Sequence, residues 1–105
     1  MAQFDVHHNL GASRHEIPFV VVVQSRRLDG YRRRVVVPLV RATLAPSSEP
    51  SLNPTFVVES TEVVLHPLEI ASVAVERLGA RVTNLAAEGD TIIAAIDVVI
   101  SRAGE

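Results

Sequence analysis

A chain of 105 residues can build one hydrophobic core but not two, so a single domain covering residues 1–105 is expected. Nearly half of the residues are apolar (48%) while only 4% are aromatic, so that core must be assembled from Val, Ile, Leu and Ala. The absence of Cys excludes disulfides, thiol catalysis and thiolate metal sites, and a net charge of −2 argues against direct nucleic-acid binding.

A core without large rings is thin, and burying further surface in a dimer would strengthen it. All ten basic residues are Arg. The start, Met1-Ala2-Gln3-Phe4-Asp5, has no basic region followed by an apolar run, and no later segment has the length and apolarity of a membrane span. A cytoplasmic protein without membrane association is therefore expected, which also fits the lack of Cys.

Gln3 to His8 alternates, with Phe4 and Val6 on one side and Gln3, Asp5 and His7 on the other, as a half-buried strand does. Asn9 to Ser13 carries turn chemistry. Phe19 to Val23 is a continuous apolar run ending at Gln24-Ser25, a strand covered on both faces. Leu28-Asp29-Gly30 signals a hairpin turn, and Arg34 to Leu39 is the return strand, again apolar on both sides. Pro38 predicts that this strand meets an edge or a bulge near its end.

Ala45 to Pro54 holds three of the six prolines and reads as an exposed irregular loop, the kind of segment that often carries function. Thr55 to Glu59 and Glu62 to Leu65 flank Ser60-Thr61 as a hairpin with a two-residue connection. Ile70 to Val75 fits a strand, while Glu69 to Leu78 also fits a helix, and periodicity leaves both open.

The last element is clearer. Gly89-Asp90 offers an N-cap and Thr91 to Arg102 has helical spacing, with Gly104 as a stop. Ile92, Ile96, Val99 and Ala103 form one stripe, with Ile93 and Ile100 beside it. The opposite side holds Ala94, Ala95 and Val98, with Asp97, Ser101 and Arg102 as its polar groups. One sheet covers one stripe, so the second apolar side calls for another surface, and a second copy of the chain is the economical source.

Candidate chemistry is sparse. His7 and His8 are strand neighbours that point to opposite faces and cannot chelate one ion together, so neither a metal site nor a cofactor is expected. Arg26-Arg27 and Arg32-Arg33-Arg34 bracket the Asp29-Gly30 turn. They form either a basic tip for phosphates or an acidic partner, or a solvated hairpin that protects an edge. No Ser lies in a Gly-x-Ser-x-Gly elbow, no glycine-rich phosphate loop exists, and no nucleophile adjoins a base. No catalytic residue is expected: the chain reads as a binding protein rather than an enzyme.

The order of short motifs along the chain resembles the CcdB family of toxins. The resemblance rests on Gln3-Phe4-x-Val6, Val23-Gln24-Ser25 and Arg33-Arg34-Val35-Val36-Val37-Pro38-Leu39. It continues in Ile70-Ala71-Ser72-Val73 and in Gly79, Val82 and Leu85 before a terminal helix containing Ala95 and Ile96. It implies a mainly β (α+β) fold: an SH3-like, partly open antiparallel barrel closed by the C-terminal helix, paired with a second copy through that helix.

In function it implies the toxin of a type II toxin–antitoxin system, a homodimer that binds the A subunit of DNA gyrase, traps the cleavage complex and is neutralised by a CcdA-like antitoxin. The target contact would fall on Arg27, Leu28, Asp97, Ile100, Ser101, Arg102 and Ala103. The antitoxin contact would fall on the loops Asn9 to His15 and Leu44 to Asn53, through Asn9, Gly11, Ser13, Arg41, Ser47 and Glu49. Family members end in an aromatic pair, whereas the matching positions here read Ile100, Ser101, Arg102 and Ala103. An alternative expectation is therefore a diverged, non-toxic binding module that keeps the fold and the antitoxin contact without the gyrase poison.

Overall fold

The β-branched runs fold as strands, and they assemble around one long strand in the middle of the sequence. The computed structural model describes residues 2–45 and 49–101. Ser47, Arg102, Ala103 and Gly104, which the sequence places in binding or helix-ending roles, lie outside the described residues. The elements are β1 (Asp5–Asn9), β2 (Phe19–Val22), β3 (Arg33–Arg41), β4 (Thr55–Val58), β5 (Thr61–Leu65), β6 (Ala71–Ala74), β7 (Leu78–Asn84) and α1 (Gly89–Ile100).

All strand pairs are antiparallel. One edge of β3 pairs with β2 from Phe19↔Leu39 to Val22↔Val36. The other edge is shared, since Arg33–Val36 pair with β6 and Leu39–Arg41 with β5. Beyond β2 come β1 and then β7. A single 3-10 turn, Val75–Arg77, leads from β6 into β7, so β6-β3-β2-β1-β7 curls into a partly open SH3-like barrel and the β4–β5 hairpin extends one side.

The main core lies on one face of this sheet. Val6, Val21, Val37, Leu39, Phe56, Val63 and Leu65 meet Ile92 and Ala95 of α1 there, with Phe4, Val82 and Ile96 at its margin. The helix thus closes the barrel on its apolar side, giving the α+β arrangement expected. The continuous apolar runs are also covered on both faces, as predicted: Val22, Val36 and Val40 are buried although they point away from that cluster.

Several local expectations are corrected. Pro38 marks neither an edge nor a bulge. Its carbonyl accepts from the His66 N–H at 3.0 Å, and its missing N–H faces the gap where β3 changes partner from β6 to β5. Leu28-Asp29-Gly30 is not a tight hairpin turn, because the chain makes a 3-10 turn at Arg26–Leu28 and returns only at Arg33. The β4–β5 connection is Glu59-Ser60, one residue earlier than expected, with φ of 48° and 65°. Residues 70–75 resolve as strand β6 followed by the 3-10 turn, because pairing with β3 supplies backbone partners that a short isolated helix lacks.

The strand β1 is not half-buried, since Asp5 and His7 are enclosed along with Val6. It lies between β2 and β7, and its polar side chains find internal partners. The helix begins at Gly89, with Glu88 as an N-cap that makes no side-chain bond. Ala95, placed by spacing on the outer side, is fully buried beside Ile92.

Candidate partner-binding surfaces

Three surfaces carry the predicted contact residues, and each is shaped by a different local device. The first is the outer side of α1. Ile92, Ala95 and Ile96 turn into the core, while Ile93, Ala94, Asp97, Val98 and Ile100 are exposed. Val98 is 46% and Ile100 69% accessible. The helix is therefore apolar on a side that its own barrel does not cover, as its sequence predicts. After Ile100 the backbone turns extended at Ser101 (φ −66°, ψ 145°).

The second surface is the β2–β3 loop, which contains Arg27 and Leu28. Ser25 Oγ accepts from the Arg27 N–H at 3.3 Å and so caps the 3-10 turn. The Gln24 amide donates to the carbonyls of Leu28 (3.2 Å) and Arg33 (3.1 Å) and accepts from the Val35 N–H (3.0 Å). Arg34 is only 5% accessible. Its Nη1 donates to the carbonyls of Tyr31 (2.6 Å) and Arg33 (2.9 Å), and its Nη2 to that of Asp29 (3.0 Å). These bonds fix the loop from inside and leave Leu28 and Tyr31 outside, Tyr31 at 68% accessibility.

The third surface joins the β1–β2 loop to the end of β3. Asn9 stitches the loop by donating to Ile17 O (2.8 Å) and accepting from the Gly11 N–H (3.0 Å). Ile17 N–H donates to Ser13 O at 2.8 Å. Arg41 links the two segments, with its backbone N–H on Glu16 O (2.8 Å) and its Nε on His15 O (3.0 Å). Asn9, Gly11, Ser13 and Arg41 thus belong to one bonded loop cluster. Glu49 belongs to another. Its backbone N–H donates to Asn53 Oδ1 (3.0 Å), and the buried Asn53 donates to Leu65 O (3.1 Å). Hydrogen bonds from the Ser51 hydroxyl and N–H hold the exposed Glu49 carboxyl below its ordinary pKa.

The described bonds of Arg27 and Leu28 stay within residues 24–35, and none of these bonds reaches Asp97 or Ile100 of the helix. Sequence reasoning missed Tyr31 and the inward turn of Arg34. The signal was available: Arg34 occupies the same face of β3 as Val36, Pro38 and Val40, a face already read as covered. His7 and His8 do point to opposite faces. His7 is buried with Nδ1 2.9 Å from Gly79 O, and His8 is exposed beside the Phe19 ring, centroids 5.5 Å apart.

At the base of β1, the Asp5 carboxylate accepts from Asn84 Nδ2 (2.8 Å), the Ala2 N–H (2.9 Å) and Arg81 Nε (3.0 Å). Burial pushes its pKa up, but the bonds from Asn84, Ala2 and Arg81 together with the Arg81 charge outweigh this and hold it below the ordinary value. Asn84 Nδ2 also donates to Gln3 O, and Asn84 Oδ1 accepts from the Ala86 N–H at 2.7 Å. One polar cluster thereby fixes the start of β1 against the turn that leads into α1.

The architecture matches solved structures along the whole chain. One is described as an endoribonuclease in complex with its cognate antitoxin from a mycobacterial species. The two share 13% identity, with a TM-score of 0.73 over 100% of this chain and 99% of that one. Another, described as an endoribonuclease from a mycobacterial species, shares 11% identity, with a TM-score of 0.70 over 100% of this chain and 95% of that one. At such identities the likeness establishes the fold alone. No curated protein matches the sequence. The family model described as CcdB protein matches residues 3–101, nearly the entire chain and every motif of the resemblance, and the chain belongs to the CcdB family.

Proposed function

We propose that this protein is the toxin of a type II toxin–antitoxin pair, acting as a homodimer that binds the A subunit of DNA gyrase and is neutralised by a CcdA-like antitoxin. The observation that carries the reading is the family match over residues 3–101. The uncovered apolar side of α1 supports the dimer, because Ile93, Ala94 and Val98 need a surface their own barrel does not supply. An antitoxin partner is in keeping with the described complex of a protein of the same fold. The antitoxin would seat on the bonded cluster of Asn9, Gly11, Ser13 and Arg41 and on Glu49.

The mechanism is differential binding and needs no bond to be made or broken by the toxin. A protein that holds one state of a cycling enzyme more tightly than the others traps that state by its difference in affinity. Pairing of two α1 helices would bring both helix ends, with Asp97 and Ile100, to one side of the dimer, where they would grip a target together with Arg27 and Leu28.

The aromatic residues of the family are absent from this helix end, and that favours a second reading, a module that keeps fold and antitoxin contact but does not poison gyrase. Expression without antitoxin, scored by viability, tests both together with gyrase cleavage and RNA cleavage assays in vitro. Growth arrest with trapped cleavage complex supports the toxin. Normal growth with tight antitoxin-peptide binding supports the module, and Ser101→Trp should then recover gyrase affinity. Growth arrest accompanied by RNA cleavage and no trapped complex overturns both.

A further inference from the structure

The chain between β2 and β3 carries a reactive pair in its backbone, Asp29 followed by Gly30. We propose that Asp29-Gly30 is a latent site of aspartate isomerisation, a spontaneous backbone rearrangement that needs only water, and that the buried Arg34 is the positioning residue that holds it closed. This property is independent of any partner and goes beyond the toxin reading.

The rearrangement starts when a backbone nitrogen attacks the side-chain carboxyl of the residue before it, so it is fastest where that nitrogen belongs to glycine. Asp29 precedes Gly30, whereas Asp5, Asp90 and Asp97 precede Val6, Thr91 and Val98, whose branched side chains crowd the approach. The reacting groups are also unengaged. Among the described residues no hydrogen bond or ion pair occupies the Asp29 carboxyl or the Gly30 N–H. Gly30 is exposed, with no atom within 4 Å of the place a Cβ would take.

In the first step Gly30 N bonds to Asp29 Cγ and gives up its proton, and a carboxyl oxygen leaves as water, which closes a cyclic imide. In the second, water adds to one of the two imide carbonyls. Opening at Cγ restores aspartate. Opening at the main-chain carbonyl breaks its bond to Gly30 N, frees it as a carboxylate and routes the backbone through Cβ and Cγ, one methylene longer and with the charge unchanged.

Ring closure requires the Asp29–Gly30 peptide plane to swing until Gly30 N lies beside Cβ. Asp29 instead has φ −63° and ψ −17°, which turns that nitrogen well away. Arg34 fixes the plane. Its Nη2 donates to Asp29 O, the carbonyl of the peptide that must rotate, and its Nη1 to Tyr31 O on the far side of Gly30. The Asp29 N–H, on Arg26 O at 3.1 Å, holds the near side. Arg34 is buried, meets three backbone carbonyls and no carboxylate, and its Nε has no partner. A buried cation without a counter-charge is costly on a face shared with Val36, Pro38 and Val40, and what it supplies there is a clamp across Gly30. After isomerisation the carbonyl held by Nη2 no longer belongs to the main chain, so the clamp is lost and with it the fixed presentation of Arg27 and Leu28.

Incubation of the folded protein at physiological temperature in water enriched in heavy oxygen tests this, because imide hydrolysis installs a solvent oxygen at residue 29. Peptide mapping by mass spectrometry reads the label, and a synthetic peptide of residues 25–35 gives the unrestrained rate. Label and isoaspartate should accumulate at residue 29, more slowly than in the peptide. Arg34→Lys keeps the charge but loses the fork, so the rate should rise about tenfold, the factor for one lost hydrogen bond. Amide exchange at Gly30 and Tyr31 should accelerate with it. Gly30→Ala, for which there is room, should slow labelling several-fold with little change in Tm. If Arg34→Lys fails to fold, Ser25→Ala, which removes the cap of the same turn from its exposed side, should raise the rate in its place. A parent that keeps pace with the peptide, label at Asp5, Asp90 or Asp97 instead of Asp29, no label in parent and loosened variant alike, or a variant whose exchange accelerates while its isomerisation does not overturns the proposal. None of these outcomes bears on the toxin reading.

Discussion

At Asp5 a buried carboxylate holds together the start of β1, the end of β7 and the turn into α1. Asp5→Ala strands the Asn84 amide and the Ala2 N–H, and should cost about 1–3 kcal/mol near neutral pH, read by chemical denaturation. The pH dependence follows from the depressed folded pKa. The unfolded chain binds the proton first, so the stabilisation is complete above about pH 4 and is lost as pH falls through the lower folded value. Asp5→Asn should therefore match the parent more closely at low pH than at pH 7; a stability difference that grows on acidification would contradict this.

Also at residue scale, Gly89 is the first residue of α1, and Gly→Ala in a helix interior gains up to about 1 kcal/mol. Here a Cβ would lie 2.7 Å from Phe4 Cε2 and 3.1 Å from Cζ. The backbone of Phe4 is fixed, so relief must come from the ring alone. The Phe4 N–H is bonded to Val22 O, its carbonyl accepts from the Leu85 N–H, and its φ is 69°. Gly89→Ala should accordingly destabilise by about 1–3 kcal/mol, and a rise in Tm would show that the ring has room to move.

Among the elements, the β4–β5 hairpin closes through Glu59-Ser60 with both residues in the left-handed region. Such a turn matches the twist of its strands but suits Asn-Gly, since other residues pay about 1–2 kcal/mol each in that conformation. Glu59→Asn/Ser60→Gly should stabilise the fold by about 1 kcal/mol, seen as a Tm several degrees higher. This hairpin also shows how far the sequence was legible. The runs Thr55 to Glu59 and Glu62 to Leu65 announced two strands, but Glu59 and Ser60 carry no left-handed signature, so the turn was read one residue late. The helix was legible from its 3.6-residue spacing, although Ala95 is too small for spacing to say which side it takes. The strand β7 was not: Leu78-Gly79-Ala80-Arg81 has neither alternation nor a β-branched run, and it is a strand because β1 offers it a partner. The loop cluster around Arg41 was invisible for the same reason, since its bonds join residues 26 apart in sequence.

For the whole molecule, the decisive question is what covers the outer side of α1. Ile93, Ala94 and Val98 lie on consecutive turns and are exposed, and burying an aliphatic side chain the size of Ile or Val contributes about 1.5–3 kcal/mol. In a two-fold dimer each position counts twice, because the same patch faces itself across the axis. Val98→Arg would set two cations against each other in that interface, while leaving Ile92 and Ala95, and so the barrel core, untouched. The parent should sediment as a particle of twice 11.4 kDa with a Tm that rises with concentration. Val98→Arg should sediment as one chain with a lower, concentration-independent Tm. A parent that sediments as a single chain at every concentration would remove the homodimer and, with it, the shared grip of two helix ends on a target.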